Sequence, residues 1–584
     1  MSDHDFTNIA PPHTPPISVS STTTEQNLTG SWKYIRPAYH DRVAPCVAGC
    51  PTAVDVQGYM TMLREGRVAA ACELLLGENP MPAVTGRVCN HPCEEDCNRA
   101  FFDGAVAIHA VERMLGDRIL QTPLPESLPV TRAERIAVIG SGPAGLACAY
   151  HLRRLGYAVE VFEQADHAGG MLRMGIPEYR LPRAVLDAQI ERIQALGIPI
   201  HCGFRAGADV TWEVLTRDFA AVFIATGAPI SKSMGAPEPS TRALWSGLDF
   251  LRVVNSGGRP NIGKRALIVG GGNTAMDCAR TALRLGAQVT LLYRRTRAEM
   301  PAIAEEVADA EREGVQFVFL GTPQRIESGA RGLAVVCQRM VLGAPDGTGR
   351  RAPVPSKAAP FTIETDTVLT AIGEDAELAV LPDGVAAGAT LPITEWGGSR
   401  IANIFLGGDL AGDERTVASA LGAGKRAAIG IDRYFRGLRG ETFDEELIDR
   451  LSVGGVGALS MSRWRDADPV QRVDPLNDVV AFEDININHF AAAPRQDDRH
   501  GGAQLSFEES NIGLTEDTAF REAARCFQCG VCNACELCLI YCGDVAITRN
   551  ENGRFDIRVE YCKGCGVCAL ECPRGAIQMT REGL

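Results

Sequence analysis

Two stretches of the 584-residue chain, about 130 residues apart, each run from an apolar strand through a glycine turn into a helix and out into a second strand. The first is RIAVIGSGPAGLACAYHLRRLGYAVEVFE from Arg135, and the second is RALIVGGGNTAMDCARTALRLGAQVTLLYRR from Arg265. Such a pattern leaves the chain little freedom. A strand that is apolar on both faces is buried on both, and its parallel neighbour has to be reached by a helical crossover. The pattern predicts two βαβ units in one chain, and so an α/β fold with two dinucleotide sites.

In the first unit Gly140, Gly142 and Gly145 spell G-x-G-x-x-G. The first glycine makes the tight turn, the second lets the backbone approach a pyrophosphate, and the third lets helix and strand pack closely. The helix N-terminus then faces the phosphates. Glu163 closes the second strand, where a carboxylate accepts hydrogen bonds from ribose hydroxyls. The second unit reads G-x-G-x-x-A through Gly270, Gly272 and Ala275, and its second strand ends in Tyr293, Arg294 and Arg295 instead of an acid. Guanidiniums there suit a 2′-phosphate, so NADP(H) is the expected ligand. Were the arginines only a solvated face, NAD(H) would serve.

Twenty cysteines are distributed unevenly: six between Cys46 and Cys97, ten between Cys526 and Cys572, and only Cys148, Cys202, Cys278 and Cys337 in between. The N-terminus shows no secretory pattern, and disulfides do not explain such a number in a reducing compartment. Metal at the two ends is the expectation, and the location expected is the cytoplasm. The four middle thiols and Cys72 read as small buried hydrophobes. None of the four forms C-x-x-C, so this middle part of the chain offers no redox dithiol. The net charge of −14 disfavours nucleic acid or an anionic membrane as partner, and no stretch approaches 18 apolar residues.

At the C-terminal end Cys562, Cys565, Cys568 and Cys572, followed by Pro573, match C-x2-C-x2-C-x3-C-P. Cys532, Cys535, Cys538 and Cys542 repeat it with Gly543 in place of the proline. In such double runs three thiolates of one loop hold one [4Fe-4S] cube and the fourth reaches the other. The expected sets are Cys532, Cys535, Cys538 with Cys572, and Cys562, Cys565, Cys568 with Cys542. The segment resembles a bacterial eight-iron ferredoxin; structural zinc is the alternative use of such pairs.

The stretches GGMLRMGIPEYRLP (169–182), VFIATGA (222–228), TVLTAIGE (367–374) and IFLGGDLAGDERTVASALGAGKRAA (404–428) resemble the small, FAD-bearing subunit of NADPH-dependent glutamate synthase. The module is similar as well to the N-terminal half of dihydropyrimidine dehydrogenase and to the large subunit of NADH-dependent reduced ferredoxin:NADP oxidoreductase. The resemblance covers about residues 40–435. It implies FAD at the first site, with Gly408 and Asp409 near the ribityl and pyrophosphate and Thr416 and Val417 near the isoalloxazine. It also adds Pro143, Ala144, Gly170, Leu172 and Gly227 to the FAD set, and places Asn273 and Thr274 with NADP(H). Hydride exchange between nicotinamide and flavin needs positioning more than a proton-transferring side chain, so no catalytic acid or base is expected.

APCVAGCPTAVDV and the stretch from Asn79 to Met114 resemble the cluster-binding domain that precedes the flavin module in that family. By that resemblance Cys50, Cys89 and Cys93 share one cluster with Glu112 as its non-cysteine ligand; an exposed helix glutamate is the bland alternative. A second family cluster would take Cys46, Cys97 and a C-x-x-C pair just upstream of Cys46, where this chain has no cysteine. Either that cluster is lost, or the pair has moved. SFEESNIGLTEDTAFREAARCFQCG (506–530) resembles the family's N-terminal element, so relocation predicts a cluster on Cys46, Cys97, Cys526 and Cys529. Three to four [4Fe-4S] clusters are expected in all.

The expected fold is an α/β module that binds two dinucleotides, FAD and NAD(P), preceded by a helical iron–sulfur domain and followed by an α+β 2[4Fe-4S] ferredoxin-like domain. The boundaries expected are a disordered leader 1–30, an iron–sulfur domain 31–130, a first FAD-binding segment 131–260, an NADP(H) domain 261–375, a second FAD-binding segment 376–437, a linker 438–505, a Cys-pair element 506–530 and a ferredoxin domain 531–584. The expected function is electron transfer between NADP(H), FAD and clusters toward a low-potential partner. A fused eight-iron ferredoxin resembles the electron-exit module of 2-oxoacid:ferredoxin oxidoreductases, so the catalytic subunits of such a complex, or ferredoxin, are the favoured partners. The alternatives are a glutamate synthase small subunit serving a large subunit, and a sensor or scaffold without turnover.

Overall fold

The computed structural model describes residues 35–581 apart from 236, 238–240, 242, 330–331, 389, 413, 442–450, 454–457, 466–477 and 497–504. The expected leader, 1–30, lies outside the described residues. The chain divides into two units: one takes Leu124–Ile431 and Asp498–Gly513, the other Met1–Pro123, Asp432–Asp497 and Leu514–Leu584.

The first unit contains both predicted βαβ repeats. Strands Ile404–Leu406, Ala221–Ile224, Arg135–Ile139, Ala158–Glu163 and Ile200–Cys202 lie in that order in one parallel sheet. A second parallel sheet orders Gln316–Phe319, Gln288–Tyr293, Arg265–Val269, Thr367–Thr370 and Leu244–Ser246. In each, the strand that enters the glycine turn is central and almost wholly buried, which is why it reads as a continuous apolar run. Between Gln316–Phe319 and Thr367–Thr370 the chain inserts an antiparallel sheet built from Gly321–Gly329, Gly332–Pro345, Arg351–Pro355 and Phe361–Thr365. Arg180, of the IPEYRLP stretch, forms a buried ion pair with Asp277 (2.9 Å) on the helix after the second glycine turn.

The other unit starts from short helices. Val56–Arg64, Val68–Glu78, Pro82–Val88 and Ile108–Leu120 pack around Tyr59, Met60, Leu63, Leu75 and Leu115. A side chain on Gly86 would put Cβ 2.4 Å from Arg113 N, and one on Gly116 would put it 2.3 Å from Ala83 N. Two helices therefore meet backbone to backbone, and this fixes where Glu112 points.

Three boundaries differ from expectation. Strand Ile35–Tyr39, expected in the helical domain, instead pairs antiparallel with Ile577–Arg581 of the C-terminal end as a two-stranded sheet. Up to residue 496, the described parts of the expected linker pack within the iron–sulfur unit: Arg42 pairs with Asp478 and Asp484 (both 2.8 Å), and Glu78 accepts from Ser460 Oγ and from the N–H groups of Met461 and Ser462. Residues 506–513 of the expected Cys-pair element belong to the flavin unit, where Ser510 N–H donates to Tyr179 O, and 514–530 belong to the iron–sulfur unit. Each difference has the same cause, for these segments carry no periodic apolar pattern of their own and are placed by partners far along the chain.

Among the described residues no helix is long and apolar enough to cross a membrane.

Candidate functional site: two nucleotide cradles and four cysteine groups

The glycine turns show their function by what a side chain would strike. Gly140 has φ +100° and its Cβ would meet Ala225 O at 2.4 Å, while Gly145 would meet Gly140 O at 1.9 Å. Gly142, the N-cap of helix Pro143–Arg154, faces open space. The second turn repeats this: Gly270 has φ +146° and no room, whereas Gly272 is open. At both helix starts a cradle is left where backbone N–H groups are unshielded, the arrangement that accepts a pyrophosphate.

Around the first cradle, Glu163 Oε2 accepts from Ser141 N (2.9 Å) and Ser141 Oγ (2.6 Å), and Oε1 accepts from Ala165 N (2.8 Å). The carboxylate thus braces the turn and keeps spare acceptor capacity. A side chain on Gly170 would stand 2.9 Å from Gly142 Cα, so Gly170 borders the cradle; Leu172 is buried and Gly227 faces open space. A Cβ on Gly408 would touch that of Ala144 at 2.7 Å, so the FAD-expected residues of 404–428 reach the first helix turn. The next residue, Asp409, keeps a buried Oδ1 with no partner, and burial pushes its carboxyl up to about 6. An orphaned buried acceptor beside an open cradle fits a ligand hydroxyl. Thr416 Oγ1 accepts from Ser419 N–H at the head of helix Val417–Leu438, so Thr416 and Val417 lie at that helix start.

The second cradle separates the two arginines. Arg294 is exposed at the strand end. Arg295 is 4% exposed, paired with Asp346, and donates through Nε to Arg351 O. Of the expected pair, one guanidinium faces solvent and the other pins the inserted antiparallel sheet. Asn273 Oδ1 accepts from Ile303 N (2.9 Å), and Thr274 hydrogen-bonds Glu374, whose carboxyl burial pushes up. Glu374 closes the TVLTAIGE stretch, but nothing in that stretch marks it as a contact of this loop.

The cysteines fall into groups. Burial raises the thiol of Cys46, and its next contributors are Cys97, Cys526 and Cys529, with which it lines one pocket. Burial likewise raises Cys93, followed by Cys50, Glu94, Cys89 and Glu112. Cys538, pushed up to about 12 by burial, faces Cys535, Cys532 and Cys572; Cys568, raised by burial, faces Cys565, Cys562 and Cys542 as well as Cys538. Every expected ligand set is brought together, the fourth cysteine of each ferredoxin run crossing to the other. Glu112 accepts from Thr85 Oγ1 (3.1 Å), and burial pushes its carboxyl up to about 7.

The loops around these thiols are wound to serve them. Cys89, Cys526, Cys542, Cys562 and Cys572 accept backbone N–H bonds at 3.3–3.4 Å from His91, Gln528, Ala546, Gly564 and Ala576. Six of the seven described non-glycine residues with positive φ, namely Ala53, His91, Gln528, Ala534, Glu536 and Val545, sit in these loops. Such backbone strain persists where the surroundings demand it. Buried Cys278 and Cys337, and Cys72, which is only partly buried and not wholly so as expected, instead donate S–H to the carbonyls of Gly247, Val335 and Leu115. Donors aimed at sulfur favour the thiolate that a cluster needs. Among the described residues no three His, Cys, Asp or Glu side chains converge on a point that one ion could occupy. Thiolates on four separate irons stand further apart than the ligands of one zinc ion.

The Cys526 and Cys529 element is latched in place by Arg525, which is 3% exposed, pairs with Glu522 and Asp103, and donates to the carbonyls of Gly104, Ala105 and Ala493. Tyr39 Oη lies 3.1 Å from Cys538 Sγ. Neither residue carries a motif, and only the fold reveals them.

Residues 134–427 match the family model for pyridine nucleotide-disulphide oxidoreductases, residues 39–123 that for dihydropyrimidine dehydrogenase domain II with its 4Fe-4S cluster, and residues 555–578 a 4Fe-4S binding domain. The chain is 38% identical over 523 residues to the NADP(+)-dependent formate dehydrogenase subunit beta of Moorella thermoacetica, covering 83% of this chain and 70% of that one. It is 34% identical to the NADPH-Fe(3+) oxidoreductase subunit beta of Geobacter sulfurreducens, covering 83% and 75%. With the glutamate synthase [NADPH] small chain of Azospirillum brasilense it shares 32% identity over 67% of this chain and 86% of that one. Among solved structures, FprA of Mycobacterium tuberculosis in complex with NADPH aligns with 54% of this chain and 88% of that one at 18% identity, with a TM-score of 0.46.

Proposed function

Since this chain belongs to the pyridine nucleotide-disulphide oxidoreductase family and carries 4Fe-4S domains at both ends, we propose that it is the NADP(H)-linked electron-transfer subunit of a larger complex, with four clusters leading to a low-potential partner. It is an NAD(P)H-dependent FAD and iron–sulfur oxidoreductase. FAD supplies the conversion between hydride and single electrons, and the [4Fe-4S] clusters supply the one-electron steps.

The residues divide the work. Gly140, Gly142, Pro143, Ala144 and Gly145 hold the FAD pyrophosphate on backbone N–H groups, Glu163 takes the ribose, and Asp409 takes a ribityl hydroxyl with its unpartnered oxygen. Gly170, Leu172, Gly227, Gly408, Thr416 and Val417 complete that wall. Gly270, Gly272, Asn273 and Thr274 hold NADP(H), with Arg294 on the 2′-phosphate; the buried pairing of Arg295 makes it a support for the inserted sheet. Cys50, Cys89, Cys93 and Glu112 hold one cluster, Cys46, Cys97, Cys526 and Cys529 a second, and the crossed ferredoxin sets the third and fourth. One observation carries this reading: sixteen candidate ligands gather as four groups of four, and one group joins the two ends of the chain.

A formate-oxidising catalytic subunit is the partner that the 38% relative favours, with a 2-oxoacid-oxidising one as the reading that rests on the ferredoxin fusion. A glutamate synthase large subunit is less favoured, because the small chain's match covers only 67% of this chain. Anaerobically purified chain with full FAD and iron should reduce a viologen dye with NADPH, and co-purification from the source cell should bring down the partner. No dye reduction from fully loaded protein would overturn the enzyme reading in favour of a sensor.

A further inference from the structure

Arg574 follows the last ferredoxin cysteine and its proline, and it is only 7% exposed. Its guanidinium is tied to two different cysteine loops. One Nη donates to the carbonyl of Phe527, between Cys526 and Cys529, and Nε donates to Asn533 Oδ1 at 2.6 Å, between Cys532 and Cys535. The Arg574 carbonyl accepts from Gly530 N–H at 2.6 Å, and Phe490 covers the guanidinium with its ring centroid 6.0 Å from Cζ. Cys535 and Cys572 on one side and Cys526 on the other feel its charge, with Arg64 the neighbouring cation.

Among the described residues no carboxylate forms an ion pair with Arg574. A guanidinium keeps its charge at any physiological pH, and a buried charge without a counter-charge is costly. The nearest sources of negative charge are the two sulfur groups between which it is held. Four thiolates on a [4Fe-4S] core leave the cluster net negative, and each reduction adds one more negative charge, so a fixed cation nearby favours the reduced state.

We propose that Arg574 is a positioning residue that raises together the reduction potentials of two adjacent clusters, the one on Cys46, Cys97, Cys526 and Cys529 and the one on Cys532, Cys535, Cys538 and Cys572. This rests on the four-cluster reading above. The guanidinium serves as the shared counter-charge at the joint where the two ends of the chain meet, and it shifts both potentials in the same direction. The cluster on Cys562, Cys565, Cys568 and Cys542 and the one on Cys50, Cys89, Cys93 and Glu112 lack this contact.

The test is an EPR-monitored redox titration, with iron analysis, of the full anaerobically purified chain as wild type, Arg574→Gln and Arg574→Lys. In Arg574→Gln two of the four cluster signals should move to lower potential, the oxidised-to-reduced ratio at fixed poise rising about tenfold, or about 59 mV for one electron. The other two signals should stay, and Arg574→Lys, which keeps the charge and loses the fork, should shift the same two signals less. Iron for only three clusters in the wild type would overturn the four-cluster reading. Iron for four clusters with unmoved potentials in Arg574→Gln would overturn the role of Arg574 alone. If Arg574→Gln loses iron, Arg574→Met, neutral and with a similar aliphatic stem, carries the test, and full iron with no shift in those two signals overturns the proposal.

Discussion

Ser141 and Glu163, 22 residues apart, bond within one βαβ unit, whereas Asn98 Nδ2 and Cys529 Sγ, 3.7 Å apart, belong to residues 431 positions distant. In the nucleotide-binding unit each cradle is local: strand, turn and helix come from one stretch of about 30 residues, and its chemistry can be read as a motif. In the iron–sulfur unit one group draws from both ends of the chain. Loop closure entropy grows only slowly with length, so a long separation is tolerated once each end is anchored in a shared core. Here that core runs from Val43 to Cys529, with Phe527 packed among the N-terminal helices. A local site depends on its backbone geometry; a distributed one depends on the latch that holds its halves together.

The comparison breaks outright if the distributed group binds nothing. Cys526→Ala/Cys529→Ala should lose the iron of one cluster, a quarter of the total, and keep FAD. Iron equal to wild type would show that Cys46 and Cys97 are spare and that the unit's sites are all local.

Within the local unit the two arginines should separate by function. Arg294→Ala should raise the KM for NADPH about 10–100-fold, the loss of about 1–3 kcal/mol of phosphate contact, and leave NADH unaffected. Arg295→Ala should leave that preference unchanged and lower stability by about 1–2 kcal/mol, because Asp346 loses its partner. Equal NADPH and NADH kinetics in the wild type, unaltered in both variants, would remove the 2′-phosphate from the second cradle.

An effect confined to one pH range concerns the orphaned acid. Burial raises Asp409 from 3.8 to about 6, so the fold prefers its protonated form. The cost of ionising it is absent below the unfolded pKa near 4, grows between about 4 and 6, and is complete above the folded value. In flavin-free protein Asp409→Asn should therefore gain about 2 kcal/mol at pH 8 and little at pH 4, as read from denaturant midpoints. An equal gain at both pH values would mean that something other than ionisation is involved. With FAD bound the same substitution should weaken flavin retention.

Much of the site is legible in the sequence, for identifiable reasons. Gly140, Gly142 and Gly145 announce themselves because only glycine satisfies a positive φ, an open approach and a close packing contact at that spacing. The ferredoxin runs do so because three thiolates of one cube come from one short loop. Arg295 misleads because its position at the strand end is identical in kind to that of Arg294. Its partner Asp346 lies on an inserted sheet that no motif marks. Strand Ile35–Tyr39 and the segment 478–496 are unreadable because they are placed by distant strands, ion pairs and carbonyls, Arg42 with Asp478 and Asp484 among them.

What the amino-acid sequence determined by itself was every element whose physics is local: apolar strands, glycine turns, helix starts and the spacing of cysteines around one cube. The tertiary structure alone decided which arginine faces solvent, that Glu112 is buried against Thr85, that Arg525 holds the far end of the chain against the near one, and that Arg574 ties two cysteine loops together. The physical reason is that spacing specifies only what a single loop or helix can reach. Burial and counter-charge depend on which surfaces meet, and here those surfaces come from residues more than 400 positions apart.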